Sequence, residues 1–324
     1  MNNERKEMLI KVSYLYYVLD KNQDKISQEL GIHRSTVSRM VKQAKEENIV
    51  TIHIKDLNIR RYQLEEYIKE KYKLKRVVIV PNIKNTSEDE KNLMLARESA
   101  FQIRQIIQNN QVIGVSWGST LAYAIEQIKS KKETHSIFVP IVGGPSHINS
   151  QYHVNTLVYE LANKFGGKSI FVNSSVIQET KQIHDQILKS KYFDELKHYW
   201  QKLDTAIVGI GGNLNIKESQ WRDLLTQEDY EDLNMREAVG DCCCRFCDKE
   251  GDILYGDLYD RTIGVSLEEL KMIPTVIGIA RSKQKSKAIL SMIKKQYINI
   301  LISDEETMIQ MLKYDQDDYI NKNN

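Results

Sequence analysis

The sequence predicts an α/β protein in two parts: an N-terminal helix-turn-helix domain, winged-helix-like in pattern, over residues 1–56, and a doubly wound, mostly parallel α/β sheet domain over residues 57–318. Three observations predict it. Residues 4–47 carry helically spaced apolar stripes broken by a glycine turn. From Arg76 onward, short apolar runs bounded by polar or glycine turns alternate with stretches long enough for crossover helices. Glycines gather where those runs end, at Gly114, at Gly143 and Gly144, and at Gly209, Gly211 and Gly212, and in a doubly wound sheet the carboxyl ends of the strands share one crevice.

Taken in order, Met8, Leu9, Val12, Leu15, Tyr16 and Leu19 fall on one stripe and make residues 4–19 the first helix. DKISQEL (24–30) is a short second helix closed by Gly31, and His33 to Glu47 a third whose Val37, Met40, Val41 and Ala44 face inward. Ile49 to Ile54 alternates enough for a short strand or wing. A polar crossing from Lys55 to Arg61 leads into an amphipathic helix around Leu64, Tyr67 and Ile68. The expected parallel strands are RVVIV (76–80), QVIGVS (111–116), SIFVPIVG (136–143), SIFVN (169–173), DTAIVGIG (204–211), TVIGIA (275–280) and NILIS (299–303). The charges between Glu228 and Glu237 read as a solvated face, and Tyr14, Tyr16 and Tyr17 as core and dimer contacts.

Composition excludes several classes. An apolar fraction of 41% over 324 residues supplies an ordinary globular core, and the net charge of +2 is too mild to imply nucleic-acid binding by itself. No apolar run approaches the length of a membrane span, and the N-terminus lacks a signal peptide's uncharged core, so a cytoplasmic protein without membrane partners is expected. All 4 cysteines lie between Cys242 and Cys247. Cys244 and Cys247 have the spacing of half a zinc site, but no second pair completes four ligands; small buried thiols on a strand, with no metal and no cofactor, are the expectation.

Charge is informative where it clusters. Ile26, Leu30, Ile32, Val37 and Met40 have the spacing that packs two helices across a turn, with Ser27 at the crossing. The face left over is His33, Arg34, Ser35, Thr36, Ser38, Arg39 and Lys42, and no acidic residue occurs from His33 to Lys45. Positive charge beside hydrogen-bonding hydroxyls is the composition of a helix that reads DNA. A second signal is GVSWGSTLAYAI (114–125), a strand end, a glycine turn and a helix start. Unpaired N–H groups and the positive end of the helix dipole would face an anion there, with Gly118 permitting close approach and Ser116, Ser119 and Thr120 offering hydroxyls. Trp117 either packs this loop on the sheet or walls the pocket.

ISQELGIHRSTVSRMVKQAKEENIV, GVSWGSTL, VPIVGG, AIVGIGG, AVGDCCCRFCDKEGD, IGVSLEELKMIPTVIGIA and KAILSMIKKQYINILISDEETM together resemble, in family order, the SorC family of bacterial sugar-responsive transcriptional regulators. The resemblance implies an effector and oligomerisation domain similar to phosphosugar isomerases. By matched motif, Ser116, Gly118, Ser119 and Thr120 would hold a phosphate, Gly143, Gly144, Gly209 and Gly211 would line the pocket, and Asp241, Lys285 and Asp304 would face the sugar. Carboxylates accept hydrogen bonds from sugar hydroxyls, and a lysine supplies a point charge or a Schiff-base amine. The chain departs from the pattern at Arg281 and Ser282, where the family often has glycines; with Lys283, Lys285 and Lys287 following, this is a stiffer, more basic loop, compatible with an anionic ligand. His33 stands at the N-cap where serine is usual.

The expected function is a regulator, a repressor or an activator, whose affinity for operator DNA is controlled by a phosphorylated sugar, acting as a homodimer or homotetramer because one such helix reads few base pairs. A sugar-phosphate isomerase or deaminase is the alternative, since fold does not decide function and Asp241 could serve as a base. A third reading is an interaction module with an empty pocket.

Overall fold

A computed structural model describes residues 3–50, 59–145, 149–212 and 225–319. The chain divides into two units, Met1–Ile59 and Arg60–Asn324, and each has its own apolar core.

In the first unit, α1 (Asn3–Ser13) gives way to a single wide turn at Tyr14–Val18. The continuous helix predicted over residues 4–19 therefore changes pitch at Ser13, whose hydroxyl donates to the Leu9 carbonyl at 2.6 Å, the kind of back-bonding that bends helices. Next, α2 (Gln23–Leu30) starts where the Asn22 side chain accepts from the Lys25 N–H, and stops at Gly31, whose φ of 63° suits glycine. After it, α3 (Arg34–Glu46) packs on α1 and α2 through Val12, Leu15, Ile26, Val37 and Val41. Tyr16 and Tyr17 are half-buried against that core, whereas Tyr14 is exposed. The wing expected at Ile49–Ile54 falls mostly on residues 51–58, outside the described residues.

The second unit opens with α4 (Ile59–Lys71). Along the chain follow β1 (Arg76–Val80), α5 (Glu88–Ile106), β2 (Val112–Val115), α6 (Ser119–Glu126), β3 (Ile137–Pro140), α7 (Val154–Lys164) and β4 (Lys168–Ser169). Then come α8 (Lys181–Lys189), α9 (Lys191–Trp200), β5 (Thr205–Gly209), α10 (Gln227–Met235), β6 (Gly240–Cys242) and β7 (Arg245–Cys247). The last elements are α11 (Asp257–Asp260), α12 (Leu267–Met272), β8 (Thr275–Ile279), α13 (Ser286–Lys294), β9 (Ile300–Asp304) and α14 (Glu305–Tyr314).

All seven predicted strands enter one sheet, ordered β1-β9-β8-β5-β2-β3-β4, and every pairing among the described residues of that sheet is parallel. Central strands such as β9 are buried at every residue, which is why their sequences are runs rather than alternations. Where the chain leaves β2 it proceeds to β3 and β4; where it leaves β5 it proceeds the other way, to β8 and β9. The winding direction thus reverses between β2 and β5, and a crevice opens at their carboxyl ends.

Three local expectations are corrected. The strand predicted at 169–173 pairs only at Lys168 and Ser169, because the Asn155 side chain takes both the N–H and the carbonyl of Val172. The cysteine segment is a hairpin of β6 and β7, not one strand: Cys243 and Cys244 take φ of 54° and 57° in its turn, and all four thiols are buried. Burial pushes the Cys247 thiol up to about 12, so it is inert. Asp229 does not lie on a solvated face; it is buried, closes a capping box with Thr226 and pairs with buried Arg261.

Candidate functional site

On α3, His33 is the N-cap residue, at φ −65° and ψ 143°, and its side chain makes no capping bond. His33, Arg34, Ser35, Ser38, Arg39 and Lys42 are exposed and Thr36 is half-buried, so the polar face read from sequence is the solvent face. Two carboxylates already touch it: Asp24 at 3.2 Å from Arg34 Nε, and Glu46 at 3.7 Å from Lys42 Nζ. Arg39 has no ion pair among the described residues. Asp24 lies on α2, so a scan of the third helix alone could not find it.

At the crevice, Ser116 follows directly on β2, buried, with its N–H on the Ile207 carbonyl and its Oγ accepting from the Gly209 N–H at 3.2 Å. Gly118 follows at φ 127° and ψ 163°, a conformation that residues with a Cβ rarely adopt, and a Cβ there would meet nothing within 4 Å. Its own N–H goes to the Tyr152 carbonyl at 3.3 Å. Helix α6 begins at Ser119, exposed, and Thr120, half-buried; helix geometry leaves the N–H groups of Ser119, Thr120 and Leu121 without carbonyls of their own helix. Trp117 packs against the sheet core. Across the crevice, Gly211 and Asp241 are joined by a backbone bridge, and the Asp241 Oδ2 accepts from the Cys244 N–H at 3.3 Å. A Cβ on Gly211 would lie 1.8 Å from Asp241 Oδ1, so this glycine makes room for the carboxylate.

Other residues implied by the resemblance sit differently. At Gly143 a Cβ would collide with the backbone of Ser175 and Val176, and at Gly144 with the His153 ring at 2.3 Å: this doublet seats neighbouring protein. Asp304 caps α14, its Oδ1 accepting from the Thr307 N–H at 2.9 Å, while its Oδ2 takes Arg281 Nε at 2.8 Å. Arg281 also reaches Asn92 and Glu88, and Lys283 pairs with Glu306. Of the loop's basic side chains, Arg281 and Lys283 are therefore matched by carboxylates. Lys285 closes a short 3₁₀ turn and is half-buried.

Sequence reasoning missed Tyr152 and His153, which flank the Gly118 loop and the glycine doublet. Burial lowers the His153 pKa, and its Nδ1 accepts from the Asn155 N–H, so the imidazole is neutral at pH 7. The doublet was the available signal, since close approach of some side chain is what such glycines permit. A helix start, hydroxyls and glycine make a receptor for an oxyanion. Among the described residues, no His, Cys, Asp and Glu group is arranged to hold a metal ion, and no helix is long and apolar enough to cross a membrane.

A family model described as "Putative sugar-binding domain" matches residues 58–313. The sorbitol operon regulator of Klebsiella pneumoniae is 32% identical over 314 residues, covering 96% of this chain and 99% of that protein. Its full-length crystal structure matches this fold with a TM-score of 0.75, over 94% of this chain and 98% of that one. The deoxyribonucleoside regulator of Bacillus subtilis is 27% identical over 95% of this chain and 97% of its own. A transcriptional regulator from Streptococcus pneumoniae, 40% identical, has a TM-score of 0.78 over 81% of this chain and all of that one.

Proposed function

This chain belongs to the SorC family of sugar-responsive transcriptional regulators, and from that premise we propose that its effector seats at the crevice between β2 and β5. The chain is a DNA-binding regulator of carbohydrate metabolism that responds to a sugar or phosphosugar. A phosphorylated sugar is the effector class that suits the site: its phosphate lies on the first turn of α6 at Ser119 and Thr120, with Gly118 admitting it to the main chain. Gly209, Gly211 and Asp241 receive the sugar from the opposite side, the Asp241 carboxylate accepting from a hydroxyl. Asp304 acts indirectly, by holding Arg281, and Lys285, on the 3₁₀ turn that follows, supplies a point charge.

One observation carries the siting: the Gly209 N–H to Ser116 Oγ bond, which brings two loops 93 residues apart to one point at the winding reversal. DNA is read by α3, with Arg39 contacting a base edge and Lys42 the backbone, and effector binding shifts the population between DNA-competent and DNA-incompetent forms of a homodimer or homotetramer. The test is a thermal-shift screen of the full chain against phosphorylated sugars and their unphosphorylated parents. A ligand at 100 times its Kd adds about 2.7 kcal/mol of stability. Stabilisation by a phosphosugar, lost in Gly118→Val, is expected; stabilisation that survives Gly118→Val would overturn the siting.

A further inference from the structure

We propose that a groove along the outer edge of β1 is an interface between two copies of this chain. β1 is an edge strand, paired with β9 alone among the described residues, and α4 and α5 rise on either side of it. Between them lies a cavity of about 640 Å³ on the opposite part of the sheet from β3 and β4, and none of the residues assigned to the effector lines it.

The edge itself is closed to strand addition. The Ile79 N–H is already taken by Glu65 Oε1 at 2.8 Å, and Pro81, at the end of the strand, has no N–H to give. An extended peptide pairing with β1 would have to displace Glu65. What the groove offers instead is side chains. Tyr62 on α4 and Phe101 on α5 are 56% and 55% exposed, large apolar groups standing at the lips of the hollow that they line. Knob and hole in one patch is the arrangement a two-fold interface requires, since each copy must supply both.

Charge agrees with this. Arg61 and Arg97 line the groove with Glu65 and Glu98, so its formal charge is balanced and a second copy, rotated about a two-fold axis, can set arginine against glutamate. A polyanion such as DNA, or an anionic metabolite, would meet as many glutamates as arginines. Aromatic residues, methionine and arginine are also the types enriched at protein interfaces, and Met94 completes that set here. The inference rests on the homodimer or homotetramer proposed above, and it uses no residue of the effector site.

The test is the mass of the full chain in solution by light scattering, without DNA or effector. Phe101→Asp is expected to halve the mass of the wild-type assembly, and Tyr192→Asp, at a position 51% exposed on α9, to leave it unchanged. Should Phe101→Asp fail to fold by circular dichroism, Arg97→Glu, at an exposed helical position, replaces it and is expected to halve the mass too. A wild-type monomer would overturn the oligomer and the groove together, whereas a folded groove variant that keeps the wild-type mass would overturn the groove alone.

Discussion

Ser116 Oγ accepts the Gly209 N–H at 3.2 Å, so the loop leaving β2 and the loop leaving β5 are tied together where the sheet reverses its winding. The bond turns a serine hydroxyl towards the main chain and leaves the first turn of α6, one residue beyond Gly118, to meet a ligand.

Gly118→Val should abolish the effector response while operator binding without effector is kept. Its φ of 127° is strained for any residue with a Cβ, and the new side chain enters the space an anion must cross. Thr120→Ala should be milder, costing about 1.5–3 kcal/mol of effector affinity for one charge-assisted hydrogen bond. Effector titration of operator complexes in gel shifts reads both; a wild-type response in Gly118→Val would refute the phosphate position.

Gly211→Ala should act on Asp241. The added Cβ would stand 1.8 Å from Oδ1 and expel the carboxylate, so sugar affinity should fall at least as far as in Asp241→Asn. Calorimetric titration with the best phosphosugar checks the ranking, which fails if Gly211→Ala binds like the wild type.

Arg39→Ala should cost roughly 1–3 kcal/mol of operator affinity and relax discrimination at one base. Arg34→Ala should cost less, since Arg34 must leave Asp24 to reach DNA, and Asp24→Ala should tighten binding. Lys42→Ala should weaken all sequences alike and flatten the salt slope. Equal losses for Arg34→Ala and Arg39→Ala would remove Asp24 from the account.

Arg281→Ala should destabilise the sheet domain by about 3–5 kcal/mol, because it strands the buried Asp304 carboxylate and releases Asn92 and Glu88. Urea unfolding measures it. A loss below about 1 kcal/mol would mean that the cluster is solvated rather than buried.

Acid should loosen the attachment of α4. Burial alone would raise the Asp315 carboxyl, but hydrogen bonds from Lys294, Lys71 and Tyr72 outweigh it and hold the group at about 2, below its ordinary 3.8. A depressed carboxylate contributes stability above the unfolded value and loses it as the pH falls through the folded one. Stability should therefore drop by about 1–2 kcal/mol between pH 4 and pH 2. Asp315→Asn should remove that part of the acid dependence, as denaturant midpoints across this range will reveal.

Much of this was legible in one dimension. Six of the seven apolar runs became strands of the sheet along half of their length or more, and the seventh entered it only at Ser169. The Gly31 turn and the uncapped His33 start were likewise readable, because periodicity, turn chemistry and capping act over a few residues. The acid-free face of α3 was exposed for the same reason: its apolar side was used by Ile26 and Val37.

What the sequence alone determined, then, is the class of the fold, its order of elements and the two segments that carry polar, ligand-ready faces. Tertiary structure decided which groups in those segments are still available. Asp24 was brought onto Arg34 from a neighbouring helix, Asp304 was given to Arg281, and the Gly143 and Gly144 doublet was filled by Ser175 and His153. Local pattern follows from backbone sterics and burial within a turn or a strand, whereas the partner of a charge or a glycine is set by strand order, which places residues 23 or 93 apart within hydrogen-bonding distance.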